Sequence, residues 1–255
     1  MIKSWLAHPL TRGLDLDDPH TTTLRRQVIA QNKFLLQIYH EWYQYLKSSP
    51  INSQGGILEL GSGGGFLSEF IPELISSEVF YCPGTDITLD GQVLPFASQS
   101  LQAIFMINVL HHIPNNRLFF SEAARCIKKG GYISMIEPWK TPWSSFVYNV
   151  LHHEPFEPDA MDWHLPTKGP LTTANDALPW IMFDRDRVLF ESEFPEWKIK
   201  KIQLMMPFRY LVSGGVSLRQ LMPLWSYPLW KSLEKVLAPL NHLLSMFAFI
   251  QLERQ

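Results

Sequence analysis

The chain has few cysteines, no run of a single charge sign and no long uninterrupted apolar stretch. Only Cys82 and Cys126 occur in 255 residues, with no CxxC pair. Neither a disulfide framework nor a zinc knuckle is therefore expected to organise the fold. Lys and Arg total 22 against 24 Asp and Glu, a net charge of −2. Such a balance argues against nucleic acid as a partner, since neutralising many phosphates needs a basic surface. The opening MIKSWLAHPL lacks the long apolar core of a signal peptide. The most apolar window, residues 236–250, is interrupted by Pro239, Asn241 and His242 and falls short of a bilayer span. A cytoplasmic protein without a transmembrane segment is expected. Its closest approach to a membrane would be a peripheral contact through the stripe Leu229, Trp230, Leu233, Val236, Leu237 and Leu240.

With 46% hydrophobic residues the chain can bury a full core. Asp18-Pro19 reads as a helix start, followed by an apolar stripe at threes and fours that runs to Ser48-Ser49-Pro50. The period then changes. Residues 56–60 form a short apolar run stopped by glycines 61, 63, 64 and 65, as in a strand entering a tight loop. A helix is predicted over 66–77, kinked or shortened by Pro72, and a second strand over 79–81. A central strand is predicted over 102–110, a helix over 116–128, and another strand over 132–137. Alternation of this kind is the signature of a doubly wound α/β sheet. Residues 138–183, with seven prolines and four tryptophans, read as an insertion. A short helix over 185–194 and a strand over 197–206 follow, then a second aromatic stretch over 207–244 and a last strand over 247–252. The expected organisation is an N-terminal helical segment (1–50), a Rossmann-like core (51–137) and a first cap insertion (138–183). A return to the core (184–206), a second cap insertion (207–244) and a terminal core strand (245–255) complete it.

The densest chemical signal is ILELGSGGG at 57–65. Glu59 ends the strand, and Gly61, Gly63 and Gly65 let backbone amides approach a ligand closely. A dinucleotide fingerprint starting at Gly61 needs glycine at position 66, where Phe66 stands. A nicotinamide-dependent oxidoreductase is thereby weakened. Asp86 follows Gly61 by 25 residues, at the end of the predicted second strand, where a carboxylate accepts from ribose hydroxyls.

The pieces ELGSGGG, GTDI, DGQVLPF, NVLHHIP and SEAARCIKKGGYISMIEP, in this order and spacing, resemble the class I, small-molecule, type 11-like S-adenosylmethionine-dependent methyltransferases. The resemblance covers residues 57–137, about a third of the chain. It implies a mostly parallel Rossmann-like sheet ending in an antiparallel strand pair, here 197–206 with 247–252. It implies S-adenosyl-L-methionine as cofactor, with Glu59 near the methionine amino group and Asp86 on the ribose. Asp90 and Gly91 would flank the adenine, and the backbone of Asn108 and Val109 would support the methionine part. One departure stands out: the helix that usually separates the second and third strands has almost no room between Asp86 and Asp90.

His111 and Glu137 are the candidate catalytic groups at the sheet's carboxyl edge. For His111 the competing reading is a packed loop histidine; for Glu137 it is a carboxylate capping a nearby backbone N–H. His152-His153-Glu154 with Asp162 and His164 match no metal-ligand spacing, and methyl transfer needs no metal, so none is expected. The acceptor is expected to be a small or lipid-like molecule held under the two insertions, which should close as a lid lined by Trp139, Trp143, His153, Trp163, Phe208 and Trp225 together with Glu137 and His111. A silent module that binds S-adenosylmethionine or a lipid without turnover is the remaining alternative.

Overall fold

Asp18 caps the first helix as its residue type favours, its carboxylate accepting from the His20 amide at 2.8 Å. That helix, α1 (Pro19–Gln31), stops at Asn32, whose side chain accepts from the Leu35 amide and starts α2 (Lys33–Lys47). The single long helix read from the sequence is thus two helices, because the Asn32 side chain competes with the helical backbone bond. It also donates to the Ser213 carbonyl at 2.8 Å. The computed structural model describes residues 6–51, 54–152 and 154–255. His153 lies outside them.

Seven strands form one sheet: β1 (Gly56–Leu60), β2 (Leu74–Glu78), β3 (Ile87–Thr88), β4 (Leu101–Ile107), β5 (Ile127–Pro138), β6 (Trp197–Met205) and β7 (Phe247–Arg254). Their order is β3-β2-β1-β4-β5-β7-β6. Strand β7 runs antiparallel to both β5 and β6, and the other neighbours pair in parallel. The expected terminal antiparallel pair is therefore present. The order departs from that of dinucleotide-binding sheets, whose sixth strand follows the fifth directly.

Two corrections concern the region after the glycine loop. Residues 66–77 are not a helix: a 3-10 turn at Leu67–Glu69 leads straight into β2 at Leu74–Glu78. Pro72 removes a backbone donor, and Ile71, Ile75, Ser76 and Ser77 are poor helix formers. Residues 79–81, read as the second strand, form a loop with Val79 and Tyr81 exposed. Both connections flanking β2 lack crossover helices, and β3 is only two residues long.

The face those helices would cover is taken by α2. It buries Phe34, Leu35, Ile38, Tyr39, Trp42, Tyr43 and Leu46 in a cluster with Ile57, Ala103, Phe105, Ile136 and Phe249 of the sheet. Each large apolar side chain buried there contributes roughly 1.5–3 kcal/mol. The opposite face packs α3 (Asn116–Cys126) and residues around Phe183 and Phe190 against Leu58, Ile104 and Ile133. Helices α4 (Pro142–Val150) and α5 (Arg187–Glu193) lie between β5 and β6, and α6 (Tyr227–Val236) between β6 and β7. Helix α6 exposes Leu229, Leu233 and Val236. Among the described residues no helix is long and apolar enough to cross a membrane.

Candidate functional site

The strand-to-loop turn at Gly61 has φ +70°, a conformation glycine adopts without strain. A Cβ there would meet Val109 Cγ2 at 2.4 Å, so the loops after β1 and β4 touch. The Gly63 amide donates to Glu78 Oε1 at 2.9 Å. The Gly65 carbonyl accepts from Arg26 of α1, and the Phe66 amide donates to the Tyr43 hydroxyl of α2 at 2.7 Å. The two N-terminal helices therefore hold the glycine loop in place of the missing crossover helix.

This loop borders a cleft of about 1150 Å³ at the carboxyl edge of the sheet. Glu59, Gly61, Gly65, Asp90, Gly91, Asn108, Val109 and His111 all line it; Gly63 lies behind the lining, bonded to Glu78. Glu59 is 4% exposed. Burial pushes its carboxyl up to about 7, opposed by Ser62 and Arg26 and reinforced by Glu78. Asn108 sits at φ +56°, with its amide donating to the Ile136 carbonyl. Its side-chain oxygen is buried without a hydrogen-bond partner.

Asp86 is placed elsewhere. It precedes β3 at that strand's amino end, exposed, and accepts from the Ser76 amide at 2.8 Å and hydroxyl at 2.6 Å. Those bonds, the hydroxyl first, hold its carboxyl below the usual range. The acidic residue in the cleft at the end of β2 is Glu78, which sequence reading missed because β2 was set five residues late. Its Oε2 accepts from the Val79 amide at 3.0 Å. Burial raises its carboxyl, and the Gly63 and Val79 bonds and Arg25 oppose the rise.

Glu137 is fully buried and does not line the cleft. Oε1 accepts from the Val109 and Leu110 amides at 2.9 and 2.8 Å, and Oε2 faces His111 Nδ1 at 2.7 Å. The capping reading of this residue describes its geometry. Beyond His111 the cleft wall brings together groups that spacing did not predict. His111 Nε2 lies 3.4 Å from Glu154 Oε2 and 3.5 Å from Asp176 Oδ1. His112 Nε2 lies 3.8 Å from Glu154, and His152 Nδ1 lies 2.8 Å from Asp176 Oδ2. Burial works against the charged form of His111, but Glu137 and Glu154 win and raise it well above its ordinary value. Burial and the neighbouring charge of His111 lower His112. Asp162 instead pairs with Arg117 at 2.6 Å, and His164 bridges to Asn115 at the cleft's side.

Residues 138–183 contribute to the cleft through Tyr148, Leu151 and Leu171, and residues 207–244 through Tyr210, Leu211 and Val216. The N-terminal segment joins them through Leu14, Thr22 and Arg25. The tryptophans expected there do not line it. Trp139 and Trp163 are buried in the core, Trp143 donates to the Pro207 carbonyl, Phe208 packs near Trp230, and Trp225 is exposed. Large rings gained more by filling the core under the loops than by facing an open cleft.

Residues 85–135 match the model of the methyltransferase domain family. Among curated proteins none matches the sequence. A Haloferax volcanii chain solved in complex with the methyltransferase activator Trm112 is 12% identical, with 93% of this chain and 96% of that one covered and a TM-score of 0.56. Geranyl diphosphate C-methyltransferase of Streptomyces coelicolor, solved with Mg2+, geranyl-S-thiolodiphosphate and S-adenosyl-L-homocysteine, is 13% identical over 98% of this chain and 87% of that one, with a TM-score of 0.51. An S-adenosylmethionine-dependent methyltransferase of Thermotoga maritima is 13% identical over 91% and 99%, with a TM-score of 0.51. Residues 85–135 thus carry a methyltransferase-domain match, and the sheet as a whole has the Rossmann-like fold of these solved structures.

Proposed function

We propose that the cleft holds S-adenosyl-L-methionine along the glycine loop and that the chain transfers its methyl group to a small or lipid-like acceptor. Glu59 carries this reading: it is a nearly buried carboxyl in the cleft lining, pushed up to about 7 by burial, and a cation beside it would favour its charged form. Gly61 at φ +70° and Asn108 at φ +56°, both in the cleft lining, turn the loops after β1 and β4 so that their backbone would border the same ligand. Glu59 would bind the amino group, and Glu78, in the place first given to Asp86, the ribose hydroxyls. Asp90 and Gly91 would flank the adenine, and the backbone of Asn108 and Val109 the methionine part. When bound, the cofactor supplies a sulfonium methyl already activated by positive charge.

What remains for the protein is alignment of the acceptor and exclusion of water. Residues 138–183 and 207–244 act as caps in this reading, and the aliphatic and tyrosine side chains they bring favour an apolar or ring-bearing acceptor. Glu137 is a positioning residue that sets the 108–111 turn and the His111 tautomer. His111, held through Nδ1 by Glu137, forms part of the cleft wall beside the acceptor. The test is an acceptor panel incubated with radiolabelled methyl donor. Transfer to a small hydroxyl-, amine- or enol-bearing molecule is expected. Saturable transfer to nucleic acid or a histone-like protein at enzymatic rates, with none to small molecules, would overturn the reading.

A further inference from the structure

We propose that the cleft wall is a divalent transition-metal site with His111, His112 and Glu154 as ligands and one position open toward the acceptor. Glu137 Oε2 faces His111 Nδ1 at 2.7 Å, and the Thr173 carbonyl faces His112 Nδ1 at 3.0 Å. An acceptor on Nδ1 places the proton there and leaves the lone pair on Nε2, the arrangement by which outer groups orient metal-binding histidines. Both Nε2 atoms face the same atom, Glu154 Oε2, at 3.4 and 3.8 Å. Ligand bonds of about 2.0–2.2 Å at a tetrahedral angle set donor atoms roughly 3.3–3.6 Å apart. The three donor atoms lie within 4.8 Å of one another. Two imidazoles and a carboxylate form a set suited to zinc, iron or cobalt and leave coordination positions free.

Asp176 is buried beside the same wall. It is 0% exposed, with Oδ2 2.8 Å from His152 Nδ1. Oδ1 points at the same place, 3.5 Å from His111 Nε2. Three carboxylates, Glu137, Glu154 and Asp176, surround this wall, and a dication compensates them more fully than protons on the histidines alone. The open position faces the cleft, so it would take an ionisable oxygen of a small molecule, a phenol or enol for example. That last step rests on the reading of the cleft as the acceptor site; the metal site itself does not.

The test uses the full chain, stripped with chelator and titrated with Co2+ as a spectroscopic probe. One Co2+ per chain is expected, with visible ligand-field bands that Zn2+ displaces. His112→Asn and Glu154→Gln should each lower Co2+ affinity at least tenfold. Glu137→Gln, which disturbs only the outer partner of His111, should lower it by roughly 10- to 100-fold. His242→Gln, at a surface histidine outside the wall, controls for adventitious binding. Thermal unfolding and S-adenosylhomocysteine binding are recorded for every variant, and the near-isosteric Glu154→Gln carries the test if His112→Asn does not fold. Absence of the bands in wild type, or undiminished affinity in a folded Glu154→Gln, overturns the proposal. Cofactor binding without cobalt binding would sink the metal site alone; cobalt binding without cofactor binding would sink the cofactor reading alone.

Discussion

Gly63→Ala tests how the glycine loop is built. A Cβ at Gly63 would stand 2.4 Å from Thr22 Cγ2 and 2.7 Å from Glu78 Oε1. Both neighbours are buried, Thr22 at 4% and Glu78 at 6% exposure, so neither swings freely aside. Overpacking of this sort costs about 1–3 kcal/mol, and the bond from the Gly63 amide to the Glu78 carboxylate, worth about 1.5–3 kcal/mol, is strained or lost. Stability should fall by roughly 2–3 kcal/mol, or about 4–12 °C in Tm for a chain of this size. If Glu78 holds the ribose, affinity for S-adenosylhomocysteine should fall roughly 10- to 150-fold through displacement of that carboxylate. Gly64→Ala is the matched control, since its Cβ would find Ile29 Cδ1 at 3.5 Å and Arg25 Cβ at 4.0 Å, ordinary contacts, and stability should change by less than about 0.5 kcal/mol. Calorimetry and thermal unfolding read both effects. A Gly63→Ala protein with wild-type Tm and affinity within threefold would refute the packing argument.

Cofactor affinity should depend on pH through Glu59. Its carboxyl is pushed up to about 7 when no cation is bound, so binding below that pH must first remove a proton. Affinity should fall by at most about tenfold per pH unit below 7 and level off above it, and Glu59→Gln should flatten the curve. Calorimetry across that range checks both limbs. The buried Arg209 donates to Glu234 at 2.5 Å and Glu41 at 2.9 Å, so Arg209→Met should lower stability by about 3–5 kcal/mol in denaturant unfolding by leaving Glu234 buried without its cation. Tyr43→Phe removes the hydroxyl that accepts from the Phe66 amide and should cost about 1 kcal/mol in the same assay.

Much of the sheet was legible from residue order. The runs read at 56–60, 102–110 and 132–137 and the alternation read at 197–206 fall on β1, β4, β5 and β6, with β4 ending at Ile107, because buried parallel strands are continuous in hydrophobicity and edge strands alternate. The region after the glycine loop was misread because 66–77 has a helical spacing of Phe66, Phe70 and Leu74. Pro72 and the β-branched Ile71 and Ile75 were the stronger signals. That single error moved the acidic end of β2 from Glu78 to Asp86. Glu59, Gly61 and Gly65, singled out from the glycine loop, and Asn108 and Val109, implied by the resemblance, line the cleft. The His111, His112, His152, Glu154 and Asp176 wall was not legible, since its members come from distant segments and meet only through the fold. The tryptophans of the insertions could not be assigned from sequence either, because a buried ring and a cleft-lining ring leave the same trace.

Equilibrium titration with S-adenosylhomocysteine of three proteins, the wild type, Glu78→Gln and Asp86→Asn, tests the cofactor cleft most directly. The wild type should bind one equivalent per chain. Glu78→Gln should lose at least about tenfold in affinity, whereas Asp86→Asn, altered only at the turn with Ser76, should stay within about threefold. No saturable binding by the wild type, or a large loss in Asp86→Asn with Glu78→Gln unchanged, would contradict the account.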